Sequence, residues 1–323
     1  MPRKFTAEEL ISQVRDEARI PNTASTGNTD ADMLNRINDY VIGSLHGAVM
    51  EVKDEYFVRS TRTDLLADTS RYVLPSRAMY GKLRDLKYYR DDVKQYRPLA
   101  HIPIGDIDLW NWNQNAVDYP GAFYVEGNYV VLWPPVAGSP NGKLEMSFYL
   151  APGEIVLSTA VAVVESVTAK VITCTAALPT TLAAGTSFDV HSATSGAELK
   201  IWDRAGSAAG SAVTLTGEDP DGSVFGEYAV VPGDYVCLAG ESALPGVPRE
   251  LHPLIGMGAA CSILEDEGDL EVFQVKYATL QRQLYGSGDG KTPGGAIGNL
   301  HNRVEAKPKY VKGGIFIANQ GWY

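Results

Sequence analysis

The sequence predicts an α+β fold in which a helical bundle, built from both ends of the chain, carries an antiparallel β layer. Apolar residues recur at helical spacing near both ends, and they alternate as in β-strands through the middle. Between residues 155 and 232 the composition shifts toward Ala, Thr, Ser and Gly, which marks an inserted small all-β domain, sandwich-like or barrel-like. Because both ends must bury their apolar stripes, we expect them to meet.

Four regions follow from these patterns. The chain has 323 residues and 45% hydrophobic content, which is enough for two domains or for one domain with a large insertion. The predicted boundaries are 1–57 and 245–286 for the helical bundle, 58–154 and 233–244 for the β platform, 155–232 for the inserted domain, and 287–323 for a linker and an extended C-terminal arm.

Two helices are predicted before the first strand. The first begins at Thr6, whose hydroxyl is expected to form a capping box with Glu9. The second begins near Thr29 or Asp30 and is the most clearly periodic segment of the chain. Its predicted buried face consists of Leu34, Ile37, Val41, Leu45, Ala48 and Val52.

Short strands are predicted from about Tyr56 onward. In the platform they cover 71–75, 83–90, 96–100, 122–125, 129–132 and 143–150, with a hairpin turn at 126–128 and a half-buried alternation in the last of them. In the inserted domain they cover 161–167, 171–175, 187–191, 198–202 and 212–215. Residues 234–238 are predicted to return to the first β layer.

The C-terminal helices differ in character. A helix from about Glu250 to Gly268 presents a surface of small residues, namely Gly256, Gly258, Ala259, Ala260 and Ser262. Because each Gly inside a helix costs up to about 1 kcal/mol, we expect a neighbouring helix to approach closely there. A further helix follows with a heptad pattern of Leu270, Phe273, Tyr277, Leu280 and Leu284.

Charge and cysteine content exclude several classes of protein. The net charge is −11, and residues 151–240 carry ten acidic and three basic side chains, which disfavours tight binding of nucleic-acid phosphates. Cys174, Cys237 and Cys261 fit neither a disulfide framework nor a zinc site, so we expect a reducing compartment. The chain shows no membrane span and no apolar core of a signal peptide near its start.

Possible catalytic and metal motifs fail on spacing. A phosphate loop ending in Gly290-Lys291-Thr292 would need Gly at position 285, which is Tyr285. A calcium-binding loop starting in residues 218–222 would need Glu as its last ligand, where the sequence has Tyr228. The acidic cluster Glu265, Asp266, Glu267 and Asp269 is a candidate carboxylate site, but a solvated helix end with Asp269 as cap is the favoured interpretation. We therefore predict no catalytic residue, no cofactor and no metal.

Two aromatic segments are candidates for binding. One segment contains Trp110, Trp112 and Tyr119. These rings form either an exposed platform that binds a sugar or a protein partner, or part of a loop that packs them onto the sheet. Beyond residue 301 the net charge reverses to +3, and aromatic side chains follow a Gly-rich linker. The partner-binding residues predicted in this arm are Lys307, Lys309, Tyr310, Lys312, Phe316, Trp322 and Tyr323.

Several segments together resemble a known family. They are the N-terminal helical pair and residues 72–75, 127–135, 142–149, 248–254 and 265–270. The order and character of these segments are similar to those of the head-to-tail adaptor, or neck, proteins of tailed bacteriophages, including adaptors of the tail tubular protein A type. The resemblance covers most of the chain outside residues 155–232.

The resemblance implies a structural, non-enzymatic virion protein. Such proteins form a ring, usually dodecameric, between the portal protein and a tail or nozzle protein in the neck, with genomic DNA passing through the lumen without specific binding during ejection. It also implies assembly in the host cytoplasm and assigns the arm to the portal contact. Two alternatives remain open: a carbohydrate-binding or cell-surface-binding β-rich protein that acts as a receptor-binding or decoration module, and a hydrolase with dispersed catalytic residues.

Overall fold

The computed structural model describes residues 5–20, 28–66, 68–90, 94–106, 120–134, 136, 142–193, 199–216, 230–286 and 295–305. Within them the chain forms two compact units. The helix–barrel unit contains the described residues of 5–53 and 152–305, and the sheet unit contains those of 54–151. The α+β class is as predicted, whereas the finer division into four regions stays a prediction.

The helices of the helix–barrel unit come from both parts of the chain. They are α1 (Ala7–Ala18), α2 (Asp30–Tyr40), α3 (His46–Lys53), α4 (Thr180–Ala183), α5 (His252–Glu267), α6 (Leu270–Tyr285) and α7 (Ala296–Glu305). Helix α5 packs against α1, α2 and α6. None of the described helices combines the length and the apolar composition that crossing a bilayer requires.

The capping box predicted for α1 is wrong, although Thr6 is the N-cap residue. The Thr6 side chain makes no capping bond, because its hydroxyl bonds to Glu8 instead. The Glu9 carboxylate accepts from the backbone N–H of Phe5 at 2.7 Å. The start of α2 does carry a capping box: Asp32 N–H donates to Thr29 Oγ1 at 3.2 Å, and Thr29 N–H donates to Asp32 Oδ2 at 3.0 Å.

Thr29→Ala is expected to lower the free energy of unfolding by about 1 kcal/mol, since it removes the side-chain half of a capping box. Urea unfolding monitored by circular dichroism measures this loss. Thr6→Ala is the matched control, because Thr6 holds the same position on α1 without capping it. Equal losses for the two variants would contradict the assignment.

A π-helical segment, Val41–Leu45, joins α2 to α3. Its i→i+5 bonding, in which His46 N–H donates to Val41 O, places an extra residue in the turn and moves the buried face. The predicted face is therefore correct at Ile37, Val41 and Leu45 only. Met33 is buried where Leu34 was expected, and His46 and Val49 are buried where Ala48 and Val52 were expected. A regular helical periodicity of 3.6 residues per turn does not predict this shift of the buried face.

Helix α7 lies inside the predicted linker and arm, so that prediction is wrong for residues 296–305. Ile297 and Leu300, three residues apart, are buried, and α7 packs against α3 and α6. Packing of this kind stabilises helices that are too short to persist alone. Any free arm therefore begins after Glu305.

The inserted β region is a closed six-stranded barrel. The strands are β10 (Ala162–Thr168), β11 (Val171–Cys174), β12 (Ser187–His191), β13 (Leu199–Ala209), β14 (Ala212–Leu215) and β15 (Tyr235–Leu238), in the order β10-β11-β14-β13-β12-β15. The prediction that residues 234–238 return to the first β layer is wrong. They pair with Phe188–His191 on one side and Ala162–Val163 on the other, which closes the barrel.

A short parallel pair brackets the barrel in the chain. Strands β9 (Glu154–Ile155) and β16 (Glu241–Ser242) precede and follow it, and they pair with each other. The Asn38 amide of α2 bonds to both backbone groups of Ile155, donating to its carbonyl at 3.0 Å and accepting from its N–H at 2.8 Å. Strand β9, which precedes the barrel in the chain, is thus hydrogen-bonded to α2.

The sheet unit consists of two four-stranded sheets. Strands β1 (Val58–Asp64), β8 (Gly142–Leu150), β3 (Ala78–Arg90) and β4 (Gln95–Pro98) form one, and β2 (Arg71–Val73), β7 (Tyr129–Trp133), β6 (Ala122–Glu126) and β5 (Ala100–His101) form the other. The predicted hairpin between β6 and β7 is confirmed, with Gly127 at φ 59° in its turn. Leu86 and Met146 of the first sheet share one core with Phe123 and Leu132 of the second.

Candidate functional site

The predicted arm residues and the Trp110 loop lie outside the described residues. Within the part of the chain that the structure describes, the candidate site lies on surfaces of the C-terminal helices. The small residues of α5 come first, because the sequence predicts that another helix approaches them closely.

The small-residue surface of α5 is used within the chain. A side chain at Gly256 would meet Gln13 of α1 at 2.5 Å, and one at Gly258 would meet the ring of Tyr40 of α2 at 2.1 Å. The Gln13 amide also donates to Pro253 O at 2.6 Å. The predicted close helix approach is confirmed, but these residues are covered inside the subunit, so they do not supply lateral contacts between subunits.

Helix α6 has one buried side. Leu280 and Leu284 are buried, and Lys276 forms an ion pair with Glu17 of α1. Phe273 is only half-buried and stacks on Tyr277, with ring centroids 5.5 Å apart. The heptad pattern predicted for this helix therefore describes two surfaces, of which only one packs on the rest of the unit.

Part of the exposed surface of α6 carries no charge. At about 100° per residue, one strip of the helix collects six side chains that carry no charge. We call this strip the α6 stripe; it consists of Leu270, Gln274, Tyr277, Ala278, Gln281 and Tyr285. Leu270 is 57% exposed, Tyr277 46% and Tyr285 55%. Glu271, Lys276 and Arg282 lie outside it.

Tyr40 extends the stripe onto α2. Burial raises the pKa of the Tyr40 phenol, and the neighbouring Cys261, Tyr285 and Tyr277 raise that pKa further. The phenol is therefore neutral at physiological pH and lies close to both stripe tyrosines. Tyrosines are enriched at binding hot spots because they bury a large ring with a polar tip. The sequence patterns did not single out Tyr40 or Tyr285, and the signal for Tyr285 is its i+8 spacing from Tyr277.

Acidic side chains stand at the N-terminal end of the stripe. We call Glu265, Asp266, Glu267 and Asp269 the acidic corner; all four residues are exposed. Asp266 pairs with Arg36, Glu267 accepts from the Asn28 amide at 3.1 Å, and Asp269 accepts from Val272 N–H as the cap of α6. The predicted capping role of Asp269 is confirmed. Among the described residues, no group of His, Cys, Asp or Glu is placed to hold a metal ion.

The cysteines are buried and have no disulfide partner. Burial raises the pKa of Cys174 and of Cys261 to about 11, and it raises the pKa of Cys237 as well. These thiols are protonated at neutral pH, which makes them poor nucleophiles. His252 is also buried; desolvation lowers its pKa, and its Nε2 lies 2.9 Å from Val247 O.

One known protein family matches more than half of this chain. The family model of the SU10 adaptor protein matches residues 5–172, which is just over half of the chain. The match runs from the start of α1 into β11 and includes the described sheet unit, whereas the α6 stripe lies outside it. A search of curated proteins finds no match. The chain therefore belongs to the SU10 adaptor protein family, and its role is that of a structural phage adaptor.

Proposed function

We propose that this chain is the subunit of a closed, dodecameric ring that joins the portal to the tail in the virion neck and surrounds the DNA as it passes. Family membership supports the adaptor role. The observation that supports a ring is the α6 stripe, an uncharged surface with three large apolar or aromatic side chains exposed to solvent. Exposed surfaces of this composition mark sites of protein association.

A ring requires a heterologous contact, in which each subunit presents two different surfaces to its two neighbours. The α6 stripe supplies one of them. Its tyrosines and Leu270 bury apolar area, and Gln274 and Gln281 offer hydrogen bonds without the desolvation cost of a charge. The stripe suits a protein partner better than DNA, because it contains no basic side chain.

The portal contact is assigned to the C-terminal arm. Lys307, Lys309 and Lys312 give it positive charge, and its aromatic residues are Tyr310, Phe316, Trp322 and Tyr323. The tail or nozzle protein binds the other side of the ring. The net charge of −11 keeps DNA from binding tightly in transit.

Negative-stain images with mass measurement test the ring. Purified protein is imaged alone and on isolated portal rings, and closed rings are expected in at least the second sample. Monomers in both samples would contradict the proposal.

Deleting residues 306–323 is expected to abolish portal docking and to leave the fold intact, since the deletion begins after the last residue of α7. Co-sedimentation with portal rings measures docking, and circular dichroism measures the fold. Replacing Lys307, Lys309 and Lys312 by Gln is the matched variant, because it keeps the aromatic residues. Docking by the deletion variant at wild-type affinity would contradict the arm assignment.

A further inference from the structure

A bulge within strand β3 of the sheet unit makes a tight turn and displays an aromatic side chain. Near the start of β3, Ala78 pairs with Leu150 and Leu83 pairs with Phe148, so residues 79–82 lie opposite Tyr149 alone. Tyr80 and Gly81 have φ of 53° and 64°, the left-handed pair typical of a type I′ turn. Tyr80 is 92% exposed, the highest value among the large hydrophobic side chains that the structure describes.

The turn holds Tyr80 in a strained backbone. Left-handed φ suits Gly and Asn, and it is unfavourable for a bulky side chain such as Tyr. The exposed ring gains little from burial to offset this cost. Strain of this kind persists at positions where the side chain serves a function.

The turn also lies in the most basic described part of the chain. Residues 71–90 contain six basic side chains and one acidic, a net of +5 in a chain of −11. Lys82 and Arg84, on either side of Leu83, are exposed. Lys82 Nζ lies 5.6 Å from the centre of the Tyr149 ring, and Arg84 pairs with Glu55 at 3.2 Å. We call Tyr80, Gly81, Lys82 and Arg84 the Tyr80 turn.

We propose that the Tyr80 turn of one subunit binds the α6 stripe of a second copy of this chain. The inference rests on the proposed ring, because a ring contact needs a partner surface for the stripe elsewhere on the same chain. Charge complementarity supports the pairing: Lys82 and Arg84 face Glu265 and Glu267 of the acidic corner, next to the uncharged stripe that receives the Tyr80 ring. DNA is the less suitable occupant of the stripe, since none of the six stripe residues is basic.

The first test is Tyr80→Asn. Asn favours the left-handed turn, so the variant is expected to unfold at a higher denaturant concentration than wild type. Subunit affinity is expected to fall about thirtyfold, the change for a hot-spot residue worth about 2 kcal/mol. If Tyr80 served only the fold, the substitution would not raise stability and lower subunit affinity at the same time. Tyr129→Asn is the matched control, because Tyr129 is an exposed tyrosine of the same unit with ordinary strand backbone, and it is expected to leave assembly unchanged.

The second test uses complementation between two defective variants. Tyr80→Asn retains an intact stripe, and Tyr277→Asp retains an intact turn. Neither is expected to form rings alone, but their mixture is expected to give one-to-one heterodimers that do not extend, because each pair has one intact contact. Charge exchange gives an independent check: Lys82→Glu with Arg84→Glu breaks the rings, and adding Glu265→Lys with Glu267→Lys restores them.

The outcomes separate this inference from the proposed function. If wild type forms rings and Tyr80→Asn forms them equally well, the turn is not the ring contact, although the ring stands. If Tyr80→Asn leaves the rings intact but weakens retention of double-stranded DNA, the turn binds nucleic acid and the inference is overturned. If wild type forms no ring even on portal rings, the proposed function itself is wrong.

Discussion

The double variant Leu270→Asp, Tyr277→Asp is expected to remain folded but to lose ring assembly. Leu270 is 57% exposed and Tyr277 46%, so the subunit loses little packing; Tyr277 gives up its stacking on Phe273 and its place beside Tyr40. In the assembled contact, the new carboxylates would be desolvated without a partner. We expect subunit affinity to fall at least about a hundredfold, as measured by analytical ultracentrifugation across a concentration series.

Val275→Asp is the matched control for this variant. Val275 lies on the same helix, is 69% exposed and is also apolar, but it lies outside the stripe. An Asp at this position tests any general effect of negative charge on α6. Loss of rings in Val275→Asp as well, or rings in the double variant, would show that the stripe is not the contact.

Local sequence signals predicted most elements of the fold. Helix α2 begins at its capping residue, α5 ends at Gly268 in the left-handed conformation, and the hairpin at Gly127 forms where its turn residues indicated. Each of these depends on a few adjacent residues with strict backbone preferences. Such signals are contained in the sequence and need no tertiary information.

Features that depend on tertiary contacts were not predictable. The π segment redirects the buried face after Leu45, and α7 is stabilised by packing on α3 and α6 rather than by its own ten residues. Strand β15 pairs with strands far away in the chain, so its apolar pattern fits equally well a platform strand and a barrel strand. In each case the deciding contact lies outside the local window.

The candidate site shows the same division. The heptad of α6 predicted one apolar face, but the position of α1 and α5 decides which of its members are covered, and Leu270 and Tyr277 remain exposed. The small residues of α5 predicted a close helix approach, but only the fold shows that α1 and α2 of the same chain provide it. The sequence contains no motif that predicts the Tyr80 turn, because its distinguishing feature is a left-handed backbone at a residue type that seldom adopts one.

Asp234→Ala is expected to destabilise the barrel by about 3–5 kcal/mol, the cost of removing one partner from a buried ion pair. The Asp234 side chain is 1% exposed, and its carboxylate accepts from Lys200 Nζ at 2.8 Å, Val231 N–H at 2.8 Å and Ala193 N–H at 3.3 Å. The side chain thus joins β13 to the segment that leads into β15, the strand that closes the barrel. Without it, a buried ammonium loses its counter-charge. Urea unfolding measures the loss.

A double-mutant cycle distinguishes the ion pair from simple loss of packing. If the cost comes from the Lys200 charge, adding Lys200→Met to Asp234→Ala is expected to recover part of the stability, because no buried cation then remains at this point. Glu165→Ala on β10 is the control for removing an acid from the barrel; Glu165 is exposed, so its loss is expected to change stability by less than about 0.5 kcal/mol. Additive effects of the Asp234 and Lys200 substitutions would show that the two charges do not depend on each other. The barrel would then owe its closure to its apolar core rather than to this pair.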